Sequence, residues 1–214
     1  MAYTGDVTKG GAPAVRTLGH LTITKVSVGP MDNNAYLLRC GDEQLLIDAA
    51  NDDETLLALI GDAGLATVVT THRHGDHWQA LEDVVSATGA RSLAHADDAG
   101  EIPVVTATLA EGDTVTVGDC SLEVIHLVGH TPGSIALLYR DPDGHGHLWT
   151  GDSLFPGGPG RTTSPTEFDS LMTGLETKVF GQLPDDTWFY PGHGRDSTLG
   201  KERPAIPEWR ARGW

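Results

Sequence analysis

Apolar residues follow a period of two through much of the chain and switch to helical spacing between those runs. Leu21, Ile23, Val26 and Val28 alternate with polar residues, with one shift, as a half-buried strand does, and Gly29-Pro30 stops the run. Residues 35–38 and 44–47 read as a hairpin around Gly41-Asp42, and residues 114–117 and 122–127 as another around Gly118-Asp119. Residues 135–139 and 147–150 add a further pair joined by Asp141-Pro142-Asp143-Gly144. Residues 51–63 predict a helix that Asn51 or Asp52 caps, with Leu56, Leu57, Leu59 and Ile60 on its apolar face and Gly64 as its stop. Trp78, Leu81, Val84 and Val85 predict a second helix that begins near Asp76 and ends at Gly89. Ser164-Pro165-Thr166-Glu167 is a capping box with proline at the first helical position, and Phe168, Leu171, Leu175 and Val179 carry that helix to Gly181.

The two halves repeat one plan: strand, Asp, helix, strand, His. Asp48 precedes His72 in the first half, and Asp152 precedes His193 in the second. Short strands with helices between them predict an α/β domain of two packed sheets with helices on both outer faces. A doubly wound parallel sheet would also use these helices, but the hairpins weigh against it. At 214 residues the chain suits one domain, here 18–214, and the small, polar, glycine-rich residues 1–17 are expected to form a loose N-terminal arm.

The chemistry concentrates where an apolar run, residues 66–69, empties into Thr70-Thr71-His72-Arg73-His74-Gly75-Asp76-His77. Imidazole and carboxylate are ligands for zinc and also suit iron and manganese. His72 and His74, two apart, can grip one ion, while Asp76 and His77 can face a second. Further strands end in the same residue types, at His130, Asp152 and His193, each beside glycine that permits close backbone approach. Asp48 also ends an apolar strand, where it either caps the next helix or orients a ligand imidazole from behind. His126 reads as a core residue or a support for the ligands, and His20, His95, His145 and His147 as structural or surface residues.

In order and spacing, H-x-H-x-D-H, G-H-T-P-G-S, G-D-S-L-F and P-G-H-G resemble the metallo-β-lactamase superfamily, and within it the glyoxalase-II-like hydrolases. The resemblance implies a four-layer αββα sandwich and two divalent metal ions, zinc first with iron or manganese as alternatives. It implies that His72, His74 and His130 hold one ion, that Asp76, His77 and His193 hold the other, and that Asp152 bridges them. It also favours the orienting role for Asp48. Water activated between two ions would hydrolyse an acyl thioester, with Asp76 passing the proton. Asp152 stands where class B1 and B2 β-lactamases carry Cys. A mononuclear-iron persulfide dioxygenase using His72, His130 and Asp152 is the alternative, and a lactone or ester hydrolase on the same fold is a further one.

Composition narrows the partners. Fourteen basic against thirty acidic residues give a formal charge of −16, which argues against a phosphate-backbone binder. No apolar run reaches the length of a membrane span, and Met1 to Arg16 lacks a signal peptide's pattern, so a cytoplasmic protein is expected. Cys40 and Cys120, far apart and outside any C-x-x-C motif, read as free thiols in a reducing compartment, with a disulfide between them as the alternative. Arg161 stands where glutathione-thioester hydrolases of the resembled family carry Lys, whereas Thr163 and Arg195 replace two tyrosines. Arg161 and Arg195 are therefore expected to contact a small anionic thiol conjugate. Residues 201–214 read as an amphipathic tail pinned by Trp209, with Arg210 and Arg212 available to assist.

Overall fold

The computed structural model describes residues 3–213; Met1, Ala2 and Trp214, ends of the expected arm and tail, lie outside them. The first half of the chain builds a seven-stranded sheet in sequence order. Strands β1 (Ala14–Leu18), β2 (Leu21–Ser27), β3 (Asn34–Cys40) and β4 (Glu43–Ile47) meander antiparallel. Strands β5 (Thr67–Val69), β6 (Arg91–His95) and β7 (Ala107–Leu109) then add in parallel. Helices α1 (Asp53–Ile60) and α2 (Leu81–Thr88) supply the crossovers that the first parallel pairings need.

The second half builds a six-stranded sheet. It contains β8 (Thr114–Val117), β9 (Cys120–His126), β10 (Ile135–Arg140) and β11 (Gly146–Gly151), all paired antiparallel. After a small ribbon of β12 (Leu154–Phe155) and β13 (Gly158–Pro159), helix α3 (Pro165–Gly174) runs into a π-helical segment, Leu175–Phe180. Strand β14 (Trp188–Pro191) returns parallel to β11, and β15 (Ser197–Thr198), α4 (Leu199–Glu202) and α5 (Ile206–Arg212) complete the half.

Alternation along the strands separates three cores. Leu38 and Leu45 face inward with Tyr36 and Ile47, against Val124, Leu137, Trp149 and Tyr190 of the other sheet. Their neighbours Leu37 and Leu46 face outward, under Leu56 and Ile60 of α1 and Leu81 and Val84 of α2. On the opposite outer face, Leu171, Leu175, Val179 and Trp209 cover Leu138, Leu148 and Phe189. Each such aliphatic side chain gains roughly 1.5–3 kcal/mol from full burial, so a register slip of one residue would be costly. The four-layer αββα sandwich is thus observed, and the antiparallel meanders exclude the doubly wound alternative.

Several local expectations need correction. Residues 75–77 form a 3-10 turn, and Trp78 (φ −143°) interrupts the path, so α2 starts at Leu81 rather than near Asp76. Asp76 therefore gains nothing from that helix's dipole. Residues 14–17 are part of β1, and the preceding arm is docked: buried Lys25 donates through Nζ to Gly5 O (2.9 Å) and to Asp196 Oδ1 (2.6 Å). No helix among the described residues is long and apolar enough to cross a membrane.

Cys40 and Cys120 are not free thiols. They end β3 and begin β9, and stacking of the two sheets brings their Cα atoms to 6.3 Å in a disulfide. This bond spans a sequence separation of 80 residues, so it restricts the unfolded chain strongly. Cys40→Ala/Cys120→Ala is expected to lose about 2–4 kcal/mol of stability in urea unfolding. An unchanged midpoint would show that the bond contributes nothing to the folded state.

A second stability prediction concerns His147, whose Nδ1 lies 3.0 Å from Tyr190 Oη and whose Nε2 lies 3.4 Å from Asp141 Oδ2. Burial, assisted by the Arg16 charge, brings its pKa down to about 4 against the opposing pull of Asp141. Between the unfolded value near 6.5 and about 4, the unfolded chain takes up a proton that the fold refuses. Stability is therefore full above that window and falls with pH through it, by on the order of 3 kcal/mol. His147→Gln should flatten this dependence relative to the unmodified chain when unfolding is followed from pH 7 to 4. Parallel curves would assign the pH response to other groups.

Candidate metal centre

The centre lies at one rim of the sandwich, where strand ends from both sheets deliver ligand-type side chains. Strand β5 leads into His72, His74, Asp76 and His77; β9 leads to His130, β11 to Asp152 and β14 to His193. One group comprises His72, His74 and His130: His130 Nε2 lies 3.0 Å from His74 Nδ1 and 3.3 Å from His72 Nε2. A second comprises Asp76, His77 and His193, with His193 Nε2 3.2 Å from His77 Nε2 and 3.3 Å from Asp76 Oδ2. Asp152 sits between them. Its Oδ1 is 3.3 Å from His77 Nε2, and its Oδ2 is 3.3 Å from His193 Nε2 and 3.6 Å from His130 Nε2.

The other nitrogen of three of the five imidazoles shows why this is a cation site. His130 Nδ1 is 2.7 Å from Arg161 O, His193 Nδ1 is 2.8 Å from Met31 O, and His77 Nδ1 is 2.8 Å from Asp48 Oδ2. Donation to these acceptors places the proton on Nδ1 and leaves the Nε2 lone pair facing the cluster. Lone pairs and carboxylates then converge at distances that only protons or metal cations can neutralise. Asp152 Oδ1 is buried and makes no well-aligned hydrogen bond, as expected of an atom aimed at a cation. With protons as the only cations, burial lowers the His77 pKa but Asp48 and Asp152 outweigh it and raise it to about 10. Burial likewise raises the Asp152 carboxyl, and the imidazoles around it hold it well below the usual carboxylate range. The residues fit two divalent cations.

Glycines give the cluster its tightness. A Cβ on Gly192 would collide with Asp152 Oδ1 and His77, and one on Gly160 with the Asp152 carbonyl. Asp48 lies against the cluster and does not cap α1. It takes Thr71 N (2.8 Å), Thr71 Oγ1 (2.9 Å) and His77 Nδ1, while Asp52 caps α1 by accepting from Thr55 N. Thr71 Oγ1 in turn lies 3.1 Å from His72 Nδ1.

Sequence reasoning missed three supporting residues. Asn33 Nδ2 donates to Asp76 Oδ2 (2.9 Å), and Asn34 Nδ2 to Pro191 O and Gly194 O around His193. The Asn-Asn pair opening β3 was the available signal. Buried Asp98 accepts from Arg73 N, Thr131 Oγ1 and Gly133 N, tying the His72–His77 loop to the His130 loop. Nothing local distinguished it from other surface-type aspartates. His126 supports the same loop, its Nε2 lying 2.7 Å from Pro132 O. Of the expected substrate contacts, Arg161, whose carbonyl meets His130 Nδ1, lines a cavity of about 470 Å³, whereas Arg195 is 85% exposed, reaches Asp6 and does not line it. Buried Trp209 pins the tail against Phe180, as expected.

Residues 28–193 match the Metallo-beta-lactamase superfamily. The chain belongs to that superfamily. It is 34% identical over 165 residues to the hydroxyacylglutathione hydrolase of Polaromonas sp. (strain JS666), covering 75% of this chain and 62% of the relative. The chain thus spans less than two thirds of the length of the hydroxyacylglutathione hydrolases it matches. It superposes with a TM-score of 0.78 on a metallo-beta-lactamase from Staphylococcus aureus, at 24% identity over 91% of this chain and 63% of that one. With TTHA1623, solved in a di-iron-bound form, the TM-score is 0.70 at 30% identity, covering 84% of this chain and 96% of the other.

Proposed function

We propose that the chain is a dinuclear metal-dependent hydrolase of acyl thioesters. The observation that carries this reading is the pair of His/Asp groups sharing Asp152 between them. His72, His74 and His130 would hold one cation, Asp76, His77 and His193 the other, with Asp152 bridging. Bound there, two divalent cations polarise a carbonyl and lower the pKa of water toward neutrality. Zinc is the first candidate, and iron or manganese suit the same donors.

The protein's own groups then manage protons and position. The Asp76 side chain is 24% exposed and that of Asp152 12% exposed, so Asp76 is the carboxylate better placed to exchange protons with substrate. Asn33 holds Asp76 Oδ2 at the cluster. Asp76 accepts the proton of the attacking water as the C–O bond forms, and returns it to the sulfur as the C–S bond breaks. The products are a carboxylic acid and a thiol. Similarity to hydroxyacylglutathione hydrolases supports the thioester class.

The test is elemental analysis of protein expressed with metals in excess, combined with turnover of a thioester panel. Two equivalents of metal and preferential thioester hydrolysis are expected. A single equivalent of iron, with no hydrolysis, would favour a dioxygenase built on His72, His130 and Asp152; hydrolysis confined to lactones or oxygen esters would keep the centre and change the substrate class.

A further inference from the structure

Lys25 on β2 is fully buried, and each of its three ammonium protons has an acceptor. Nζ donates to Gly5 O (2.9 Å), to Gly194 O (2.7 Å) and to Asp196 Oδ1 (2.6 Å). The Asp196 side chain is equally enclosed, and its Oδ2 accepts from Tyr3 Oη (3.0 Å) and Trp188 Nε1 (3.2 Å). The N-terminal arm closes over this pair at Gly5, whose φ is +71° and where a Cβ would collide with the Asp196 carboxylate. Three remote segments, the arm, β2 and the loop that carries His193, thus meet on one ammonium group.

Ahead of His193 the loop is held from β3. Pro191 O accepts from Tyr36 Oη (2.6 Å) and Asn34 Nδ2 (2.9 Å), and Gly192 O accepts from Asn34 N (2.8 Å). Behind His193, Gly194 O accepts from Lys25 Nζ and from Asn34 Nδ2 (3.0 Å), and Gly194 N donates to Asp32 O (3.1 Å). Gly194, at φ +67°, has no side chain and open space where one would stand, so these hydrogen bonds fix it. The ligand between them needs such support. The His193 side chain is 20% exposed and has only Met31 O behind its ring, whereas His77 beside it is fully buried and backed by Asp48. A charged donor bonds a carbonyl more strongly than a neutral amide does, and more so away from water. Lys25 is therefore the stronger of the two donors on Gly194 O.

A buried ion pair is a weak source of stability, because an apolar pair of similar size often holds a fold as well. What an apolar pair cannot supply is a directed bond to the Gly194 carbonyl. We infer that Lys25, oriented by Asp196 and the docked arm, is a positioning residue for His193, and through it for the cation held by Asp76, His77 and His193. This rests on the two-cation part of the proposed function and is independent of the substrate. The His72, His74 and His130 group lies on other loops, and among the described residues no hydrogen bond joins Lys25 to it. Loss of the Lys25 bond should therefore be felt at one cation and not at the other.

The experiment is titration of zinc(II) into the metal-free chain in competition with a chromophoric chelator, which reads the affinity of each site. His193→Gln removes a ligand and so marks the affinity that belongs to the His193 group. Lys25→Met alone would strand a buried carboxylate, so the decisive variant is Lys25→Met/Asp196→Asn. It leaves no buried charge unpaired, and the amide keeps an oxygen for Tyr3 and Trp188. Its marked affinity is expected to fall about tenfold or more, with the other affinity within about twofold. Equal losses at both sites, no loss at the marked one, or failure of the double variant to fold would overturn the proposal. An unmodified chain that takes up a single equivalent would sink the dinuclear centre and this proposal together. Two equivalents with an unchanged double variant would sink the proposal alone and leave the hydrolase standing.

Discussion

Asp76→Asn is expected to lower kcat by about 10²-fold or more while the fold stays intact. The side chain lies in a 3-10 turn, not inside a helix or a core, and the amide is the same size, so little packing changes. The amide oxygen can still accept from Asn33 Nδ2, which now approaches Asp76 Oδ2 at 2.9 Å. What disappears is the negative charge and the ability to take a proton from water and return it to sulfur. The group 3.3 Å from His193 Nε2 also becomes a poorer metal ligand, so metal content must be measured with the rate. Unchanged melting, full metal content and a greatly reduced kcat would assign the proton transfer to Asp76. A kcat near that of the unmodified chain would show that another group carries it.

Asp48→Asn should be nearly as damaging, by a different route. Asp48 is buried, has φ of +59° and accepts three hydrogen bonds, from Thr71 N, Thr71 Oγ1 and His77 Nδ1. Asparagine tolerates that backbone conformation, so the change is chemical rather than steric. Its oxygen can keep the Thr71 N contact, but its NH₂ then faces His77 Nδ1. Two donors cannot face each other, and the imidazole responds by moving its proton to Nε2, the nitrogen aimed at the cluster. Affinity for the cation held by His77 is expected to fall about 10–100-fold. Metal titration should show that loss at one site, with the His72–His74–His130 group still loading. Equal, undiminished affinity at both sites would mean that the tautomer of His77 is set elsewhere.

Much of the molecule was legible along the chain because its signals are local. Strand and helix periods, the Ser164 capping box and the hairpin turns depend on neighbouring residues, and they led to the two sheets with helices outside. The ligand residues were legible for the same reason: each stands at the end of an apolar strand, and strand ends of stacked sheets share a rim. His72, His74, Asp76, His77, His130, Asp152 and His193 accordingly meet. The start of α2 was misread because apolar spacing from Trp78 onward continues a helical pattern across a backbone that leaves it.

What the tertiary structure alone decided is contact between segments whose sequences carry no mark of one another. The Cys40–Cys120 disulfide exists because β3 and β9 stack across the central core, and neither cysteine's neighbours encode that distance. Asp98 became the tie between two ligand loops from the segment that follows β6, and Asn33 reached Asp76 from the residue just before β3. Arg161 and Arg195 looked alike in sequence; folding turned one to a cavity with Arg212 and the other to Asp6 on the surface. Residue type and local spacing determined which groups this chain offers to a metal. Three-dimensional packing, which fixes distances between remote segments, decided which groups hold those ligands in place and which arginine lines a cavity.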